Sequence, residues 1–194
     1  MINIFNLFIS FIFPFLALFV SKSITFIDMP DKKVKLHKKP VPYVGGLSIL
    51  FLLIYFFIVK TFNLPLVIIG LVALLGMLDD KFNFNPTIRL IFEFILMFFL
   101  VKTIIISQGI LILLSLTFLG VTLINSFNFI DIKDGLITSY GIILLLFLNN
   151  ISTNNSNTDF NEFIFLYLCS LLSIYFLNSE PARCYQGDGG TYGL

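Results

Sequence analysis

Charge is scarce in this sequence: 12% of its 194 residues are Asp, Glu, Lys or Arg, where a soluble domain carries about 25%. With 58% hydrophobic residues and a mean hydropathy of +0.99, that shortage excludes an ordinary soluble globule and a disordered tail. Cysteine is scarce too. Of the 2 present, Cys169 lies in an apolar run and Cys184 in a polar loop, which argues against a disulfide or a thiolate metal site. The leading residues Met1 to Asn6 contain no basic side chain, and no small-x-small cleavage site follows. The first apolar run therefore reads as a retained anchor, not a secretion signal. The net charge of +1 says nothing of partners as a sum; everything depends on where the charges sit.

What the sequence does have is long apolar runs. A membrane-crossing helix needs roughly 20 mostly apolar residues, and such stretches lie near 2–20, 44–62, 64–78, 87–106, 110–127, 136–148 and 163–177. The reading is an all-α, polytopic transmembrane bundle, a single integral-membrane domain over 1–194. Seven alternating crossings put the loops 21–43, 79–89, 125–135 and 178–194 on one side. These loops carry all the Lys and Arg except Lys60 and Lys102, and all the acids except Glu93, Asp159 and Glu162. The positive-inside rule places that side in the cytoplasm and the amino terminus outside. Acidic residues contribute little to topology, so their gathering on the same side suggests one polar site.

Four segments compose it. Asp79-Asp80 ends the third run; adjacent carboxylates repel each other unless a cation or a basic group offsets them, and Lys81 is the simplest partner. Asn125, Asn128, Asp131 and Asp134 recur every three residues, so at 100° per residue they stay near one face of a helix end. A capped helix end with an Asp134-Gly135 turn explains one of them; four suit a hard divalent cation and a phosphorylated ligand. Tyr185-Gln186-Gly187-Asp188-Gly189-Gly190-Thr191 is a glycine-rich stretch, read either as a loop whose N–H groups cradle an anion or as a flexible chain end. The first loop, from Asp28 to Gly46, sets Lys35, His37 and Lys38 in a lysine cluster, which serves topology, anionic lipid or a diphosphate.

Taken in order, these segments resemble the polyprenyl-phosphate N-acetylhexosamine-1-phosphate transferases, which include phospho-N-acetylmuramoyl-pentapeptide transferase. The resemblance runs from Asp28 to the end of the chain. It rests on Asp28-x-Pro30, His37-x-x-Pro40-x-Pro42-x-x-Gly45-Gly46, Gly76-x-x-Asp79-Asp80 followed by Arg89-Leu90, residues 125–136, and Gly187-Asp188-Gly189-Gly190-Thr191. Ile132 stands where the family often has Gly, Lys133 adds a charge, and Glu93 stands where Gln is common. The resemblance implies about seven of roughly ten membrane helices, hence a carboxy-terminally truncated fragment. It implies transfer of a sugar 1-phosphate from a UDP-N-acetylhexosamine to a polyprenyl phosphate, with release of UMP, as the first membrane step of an envelope polysaccharide. It further implies Mg²⁺, or Mn²⁺ in its place, and no nucleic acid. Asp188 would hold the metal, with Asp131 or Asp80 as a second ligand. Asp79 would orient or deprotonate the lipid phosphate. Asn125, Asn128 and Asp134 would hold the nucleotide sugar, Tyr185 would stack on uracil, and Lys35, His37 and Lys38 would face phosphates. Two rivals stand beside it: an ion-coupled transporter or channel fragment with a carboxylate-lined mouth, for which Glu93 would be the intramembrane acid, and an inactive truncated transferase.

Overall fold

A computed structural model describes residues 4–30, 39–60, 63–105, 108–152 and 158–194. Seven long helices follow the apolar runs: α1 (Ile4–Ser23), α2 (Gly45–Val59), α3 (Leu64–Phe82), α4 (Pro86–Ile104), α5 (Ile110–Ile130), α6 (Leu136–Ser152) and α7 (Thr158–Asn178). Among the described residues there are also an eighth, short helix, α8 (Gly187–Tyr192), and two short strands, β1 (Ile27–Asp28) and β2 (Val41–Pro42). The chain is an all-α membrane protein. Helices α1, α5 and α7 are long and apolar enough by themselves to cross a bilayer. Helices α2 and α6 are apolar but shorter, and α3 and α4 carry charged residues near their ends.

Local chemistry sets the helix boundaries that matter for the site. Asn63 starts α3 by accepting the Leu66 N–H at 3.5 Å, with Pro65 in the first turn, and Asn85 starts α4 by accepting the Thr87 N–H at 3.0 Å, with Pro86 there. Proline suits the first helical turn because its missing N–H would have no intrahelical partner. Between them, Asn83 takes a left-handed conformation (φ 49°) as the C-cap of α3. Asparagine tolerates this conformation because its short side chain bonds locally. The result is a reversal of three residues, Asn83 to Asn85, that folds α4 back along α3.

The buried core lies among α1, α2, α3 and α7, with Leu52, Leu66, Leu171 and Ile174 at its centre. Small polar side chains, among them Ser10, Ser48, Ser170 and Ser173, are fully buried there. Small residues let membrane helices approach closely where apolar burial cannot drive association. Helices α4, α5 and α6 instead expose Phe, Ile and Leu over most of their length, as lipid-facing helices do. At one end of the bundle Lys60 pairs with Asp159 at 3.1 Å and Glu162 at 2.9 Å, tying α2 to α7. The site residues collect at the other end.

The glycine-rich segment departs from both sequence readings. Neither cradle loop nor flexible terminus, it is helix α8, which packs between α2, α3 and α5 with Gly187, Gly189, Gly190, Thr191 and Tyr192 buried. Glycine makes that burial possible. A Cβ on Gly76 of α3 would lie 2.4 Å from the Asp188 carbonyl oxygen, and one on Gly190 would lie 2.9 Å from the Gly45 Cα. Helices α6 and α7 also extend past the apolar runs 136–148 and 163–177, to Ser152 and from Thr158.

Candidate active site

Three backbone segments meet at the site end. Strands β1 and β2 pair antiparallel, Ile27 opposite Pro42 and Asp28 opposite Val41. Tyr185 joins alongside: its N–H donates to the Pro42 carbonyl at 2.9 Å and its carbonyl accepts the Val44 N–H at 2.9 Å. The chain entering α8 is therefore hydrogen-bonded to the chain entering α2. Asn178, at the end of α7, adds a second tie. Its side-chain oxygen accepts from the Gly135 N–H (3.0 Å) and the Thr138 hydroxyl (2.8 Å), and its amide donates to the Cys184 carbonyl (2.9 Å).

On this frame the two carboxylates at the end of α3 take different tasks. Asp80 accepts the Asp188 N–H at 3.0 Å and the Gly189 N–H at 3.2 Å, one on each oxygen. It thus satisfies two donors of the first turn of α8, as a capping side chain does. Asp79 accepts the Phe84 N–H at 2.8 Å, closing the α3–α4 reversal, and receives the Arg89 guanidinium at 2.9 Å. Lys81, the simplest partner by sequence, lies over the Phe82 ring instead. Its place at Asp79 is taken by Arg89, ten positions further along the chain, brought back by the three-residue turn.

Asp188 lies beside this pair. Its carboxylate accepts from the Asn128 amide at 2.7 Å, and its other oxygen is 4.0 Å from Arg89. Helix α5 runs through Ile130, so Asn125 and Asn128 share a helical face, whereas Asp131 is the C-cap and Asp134 sits in the turn after it. That turn contains Gly135 in the left-handed region (φ 74°), as the Asp134-Gly135 pair suggested. Asp134 accepts the Ala182 N–H at 3.0 Å, tying the α5–α6 turn to the segment before α8. Asn125 points elsewhere than expected: it donates to Glu93 at 2.5 Å and accepts from Arg89 at 3.3 Å, inside the bundle.

Among the described residues, electrostatics mark the cluster as short of positive charge. Burial first, then the Asp188 charge, pushes the Asp80 carboxyl upward, beyond the apolar stretch of α3 that ends at Leu78. Asp188 is raised by burial and by Asp79 beside it. Asp131 is pushed up to about 7 by burial, with the charges of Asp188 and Asp134 adding to the effect. The Tyr43 phenol is raised by burial and by Asp80 and Asp28, and the Tyr185 phenol by burial and by Asp134, Asp28 and Asp131. Carboxylates crowded away from water favour a proton or a cation. Among the described residues no three His, Cys, Asp or Glu side chains form a ready-made metal cage. Mg²⁺ asks for less, one or two carboxylates with the remaining positions left to water and phosphate; Asp188 and Asp131 lie near enough for the charge of one to act on the other.

Of the residues expected from sequence, Asp79, Asp80, Asn128, Asp131, Asp134, Tyr185 and Asp188 converge at one end of the bundle. Asn125 belongs to the interior network. Lys35, His37 and Lys38 lie outside the described residues. Sequence reasoning assigned no role to Tyr43, Asn178 or Tyr192. The Pro42-Tyr43 junction before Gly45-Gly46 was the available signal for the first; no local pattern marks the other two.

A profile of glycosyl transferase family 4 matches residues 62–194. A protein of Methanocaldococcus jannaschii, whose name is that of a glycosyltransferase without a stated substrate, is 32% identical over 173 residues, covering 80% of this chain and 53% of its own. Undecaprenyl-phosphate alpha-N-acetylglucosaminyl 1-phosphate transferase of Thermotoga maritima is 30% identical over 94% of this chain and 57% of its own. Its Escherichia coli namesake is 26% identical over 93% and 55%. The chain spans about half the length of these curated relatives.

Proposed function

This chain belongs to glycosyl transferase family 4, and we propose that it carries the metal-binding part of a site that transfers N-acetylhexosamine 1-phosphate from a UDP-sugar to a polyprenyl phosphate. The observation that carries this reading is the convergence of Asp79, Asp80, Asp131 and Asp188 with Arg89, from separate segments, at one end of a membrane bundle. A soluble sugar nucleotide and a lipid-borne phosphate can meet only at such an interface. In the reaction, an oxygen of the lipid phosphate attacks the β-phosphorus of the UDP-sugar. The bond to the α-phosphate oxygen breaks, and UMP leaves with the electron pair.

Phosphoryl transfer is mostly positioning and neutralisation of charge. When bound, Mg²⁺ (or Mn²⁺) supplies that neutralisation at the diphosphate. Asp188 holds it, with Asp131 as the second ligand; Asp80, whose two oxygens each already accept a backbone N–H, holds α8 so that Asp188 faces the site. Asp79, bonded to Arg89 and Phe84, orients the lipid phosphate through Arg89 more readily than it removes a proton. Asn128 keeps Asp188 turned toward the site, and Asp134 and Tyr185 border the nucleotide side. Lys35, His37 and Lys38 supply further positive charge for phosphates. The apolar faces of the helices accept the prenyl chain. The relatives' names favour N-acetylglucosamine as the sugar, and with it an early membrane step of envelope polysaccharide synthesis. The site end faces the cytoplasm of a plasma membrane and the amino terminus lies outside, following the positive-inside asymmetry.

The rival reading of an ion path is disfavoured by Glu93, the acid near the middle of α4. It is paired with Arg89 and Asn125, not aligned along a conduit. The test is release of UMP by membranes containing this chain, supplied with UDP-N-acetylglucosamine and polyprenyl phosphate. Release that requires Mg²⁺ and falls at least about 100-fold in Asp188→Asn, in line with losing one charge-stabilising group, supports the proposal. UMP release unaffected by Asp188→Asn removes that residue from the mechanism, and lipid-dependent ion flux without UMP release replaces the transferase by the transporter.

A further inference from the structure

Helix α4 buries one side chain, Glu93, which has no exposure at all. A carboxylate is a poor choice for stability in such a place. Taking a charge out of water is costly, and a well-packed apolar residue often does as well or better. Its surroundings give the reason. The Glu93 Oε1 lies 3.4 Å from Arg89 Nε, one helical turn back, and its Oε2 accepts the Asn125 amide. The remaining edges of the same guanidinium are also occupied. Nη1 donates to Asp79 at 2.9 Å and lies 4.0 Å from Asp188; Nη2 donates to Asn125 at 3.3 Å. The Tyr192 ring covers one face, its centroid 5.9 Å from the guanidinium carbon.

We propose that Glu93 is a positioning residue that holds Arg89 from behind, so that this guanidinium grips Asp79 and stops short of Asp188, leaving that carboxylate to a divalent cation. This inference rests on the metal-dependent reading above. Arg89 presents Nε, Nη1 and Nη2 in a rigid plane. With Nε on Glu93 and Nη2 on Asn125, Nη1 is directed at Asp79 and stops short of Asp188. Glu93 also balances the guanidinium charge inside the bundle. Without that balance, the charge would bear wholly on Asp79 and Asp188 and would compete there with any metal ion.

The test uses this chain in detergent micelles and Mn²⁺ as the probe, followed by loss of the free-ion paramagnetic resonance signal. The wild type should bind Mn²⁺, and Glu93→Gln, which keeps the shape and loses the charge, should weaken binding at least about fivefold, the lower end of coupling between linked sites. Arg89→Gln should bind at least as tightly as the wild type. Adding Glu93→Gln to Arg89→Gln should change nothing further. Equal weakening by Glu93→Gln in both backgrounds, or none in either, overturns the proposal, because a merely structural role acts without Arg89. Should Glu93→Gln fail to fold, Arg89→Lys serves in its place. It keeps the charge without separate edges for Glu93, Asp79 and Asn125, so binding should again weaken, and unchanged binding overturns the inference. A wild-type chain that binds no Mn²⁺ overturns the metal-dependent reading itself, and this inference with it.

Discussion

Asp79 and Asp80 are neighbours in sequence with unlike work, because successive residues of a helix point 100° apart. One closes the turn into α4 and grips Arg89; the other caps α8. Their adjacency was legible in the sequence, but the division of labour depends on which segments approach α3 from each side. Asp131 carries a prediction at this scale. Its folded pKa, about 7, lies above the value of about 3.9 expected unfolded. Between those values the folded state binds more protons, so its contribution to stability falls as pH rises. The metal-free protein in detergent should therefore melt at progressively lower temperature from about pH 4 to about pH 7. Asp131→Asn should flatten part of that slope, and Mg²⁺ added near neutral pH should reverse it. A melting temperature that rises across this window in the metal-free protein would contradict the assignment.

At the scale of elements, α8 decides the geometry. Glycine-rich composition reads as a loop because glycine weakens isolated helices, and in sequence nothing offsets that weakness. In the fold two things do. Asp80 caps the first turn, and small residues on α2 and α3 let the helix backbone come into contact with theirs. Gly76→Val tests this contact. Its Cβ would stand 2.4 Å from the Asp188 carbonyl oxygen, so α8 must shift, at a cost of about 1–3 kcal/mol. The fully buried Cys184 just before α8 reports the shift: the variant should melt lower and its Cys184 thiol should react faster with a maleimide. Unchanged reactivity would mean that α8 does not depend on this packing. Helix α4 gives the complementary case. Its partner Glu93 was visible in sequence at i, i+4 from Arg89, and that pair forms. The link to Asp79 was not visible, because it depends on the three-residue reversal and not on helical periodicity.

At the scale of the whole molecule, the two ends of the bundle differ in kind. One is clamped by Lys60, Asp159 and Glu162; the other gathers Asp79, Asp80, Asp131, Asp134 and Asp188 with Arg89. The orientation proposed for them is open to a direct measurement. In intact cells an impermeant maleimide should label Asn150→Cys, exposed in the last turn of α6 on the outer side, and should leave Lys81→Cys unlabelled until the membrane is opened. The reverse pattern would place the site outside and remove access to a cytoplasmic sugar nucleotide.

Hydropathy and the sorting of charge by side are local properties of the chain. Transfer of each apolar run into lipid depends on that run alone, so the sequence by itself determined the seven long helices, the end at which the acids gather and the segments that form the site. Partnership is not local. That Asn125 turns inward to Glu93, that Asp80 caps a helix far along the chain, and that Arg89 stands between Asp79 and Asp188 were decided only by tertiary structure. The reason is physical: a hydrogen bond or ion pair is satisfied over about 3 Å, and only packing brings residues from separate helices within that distance.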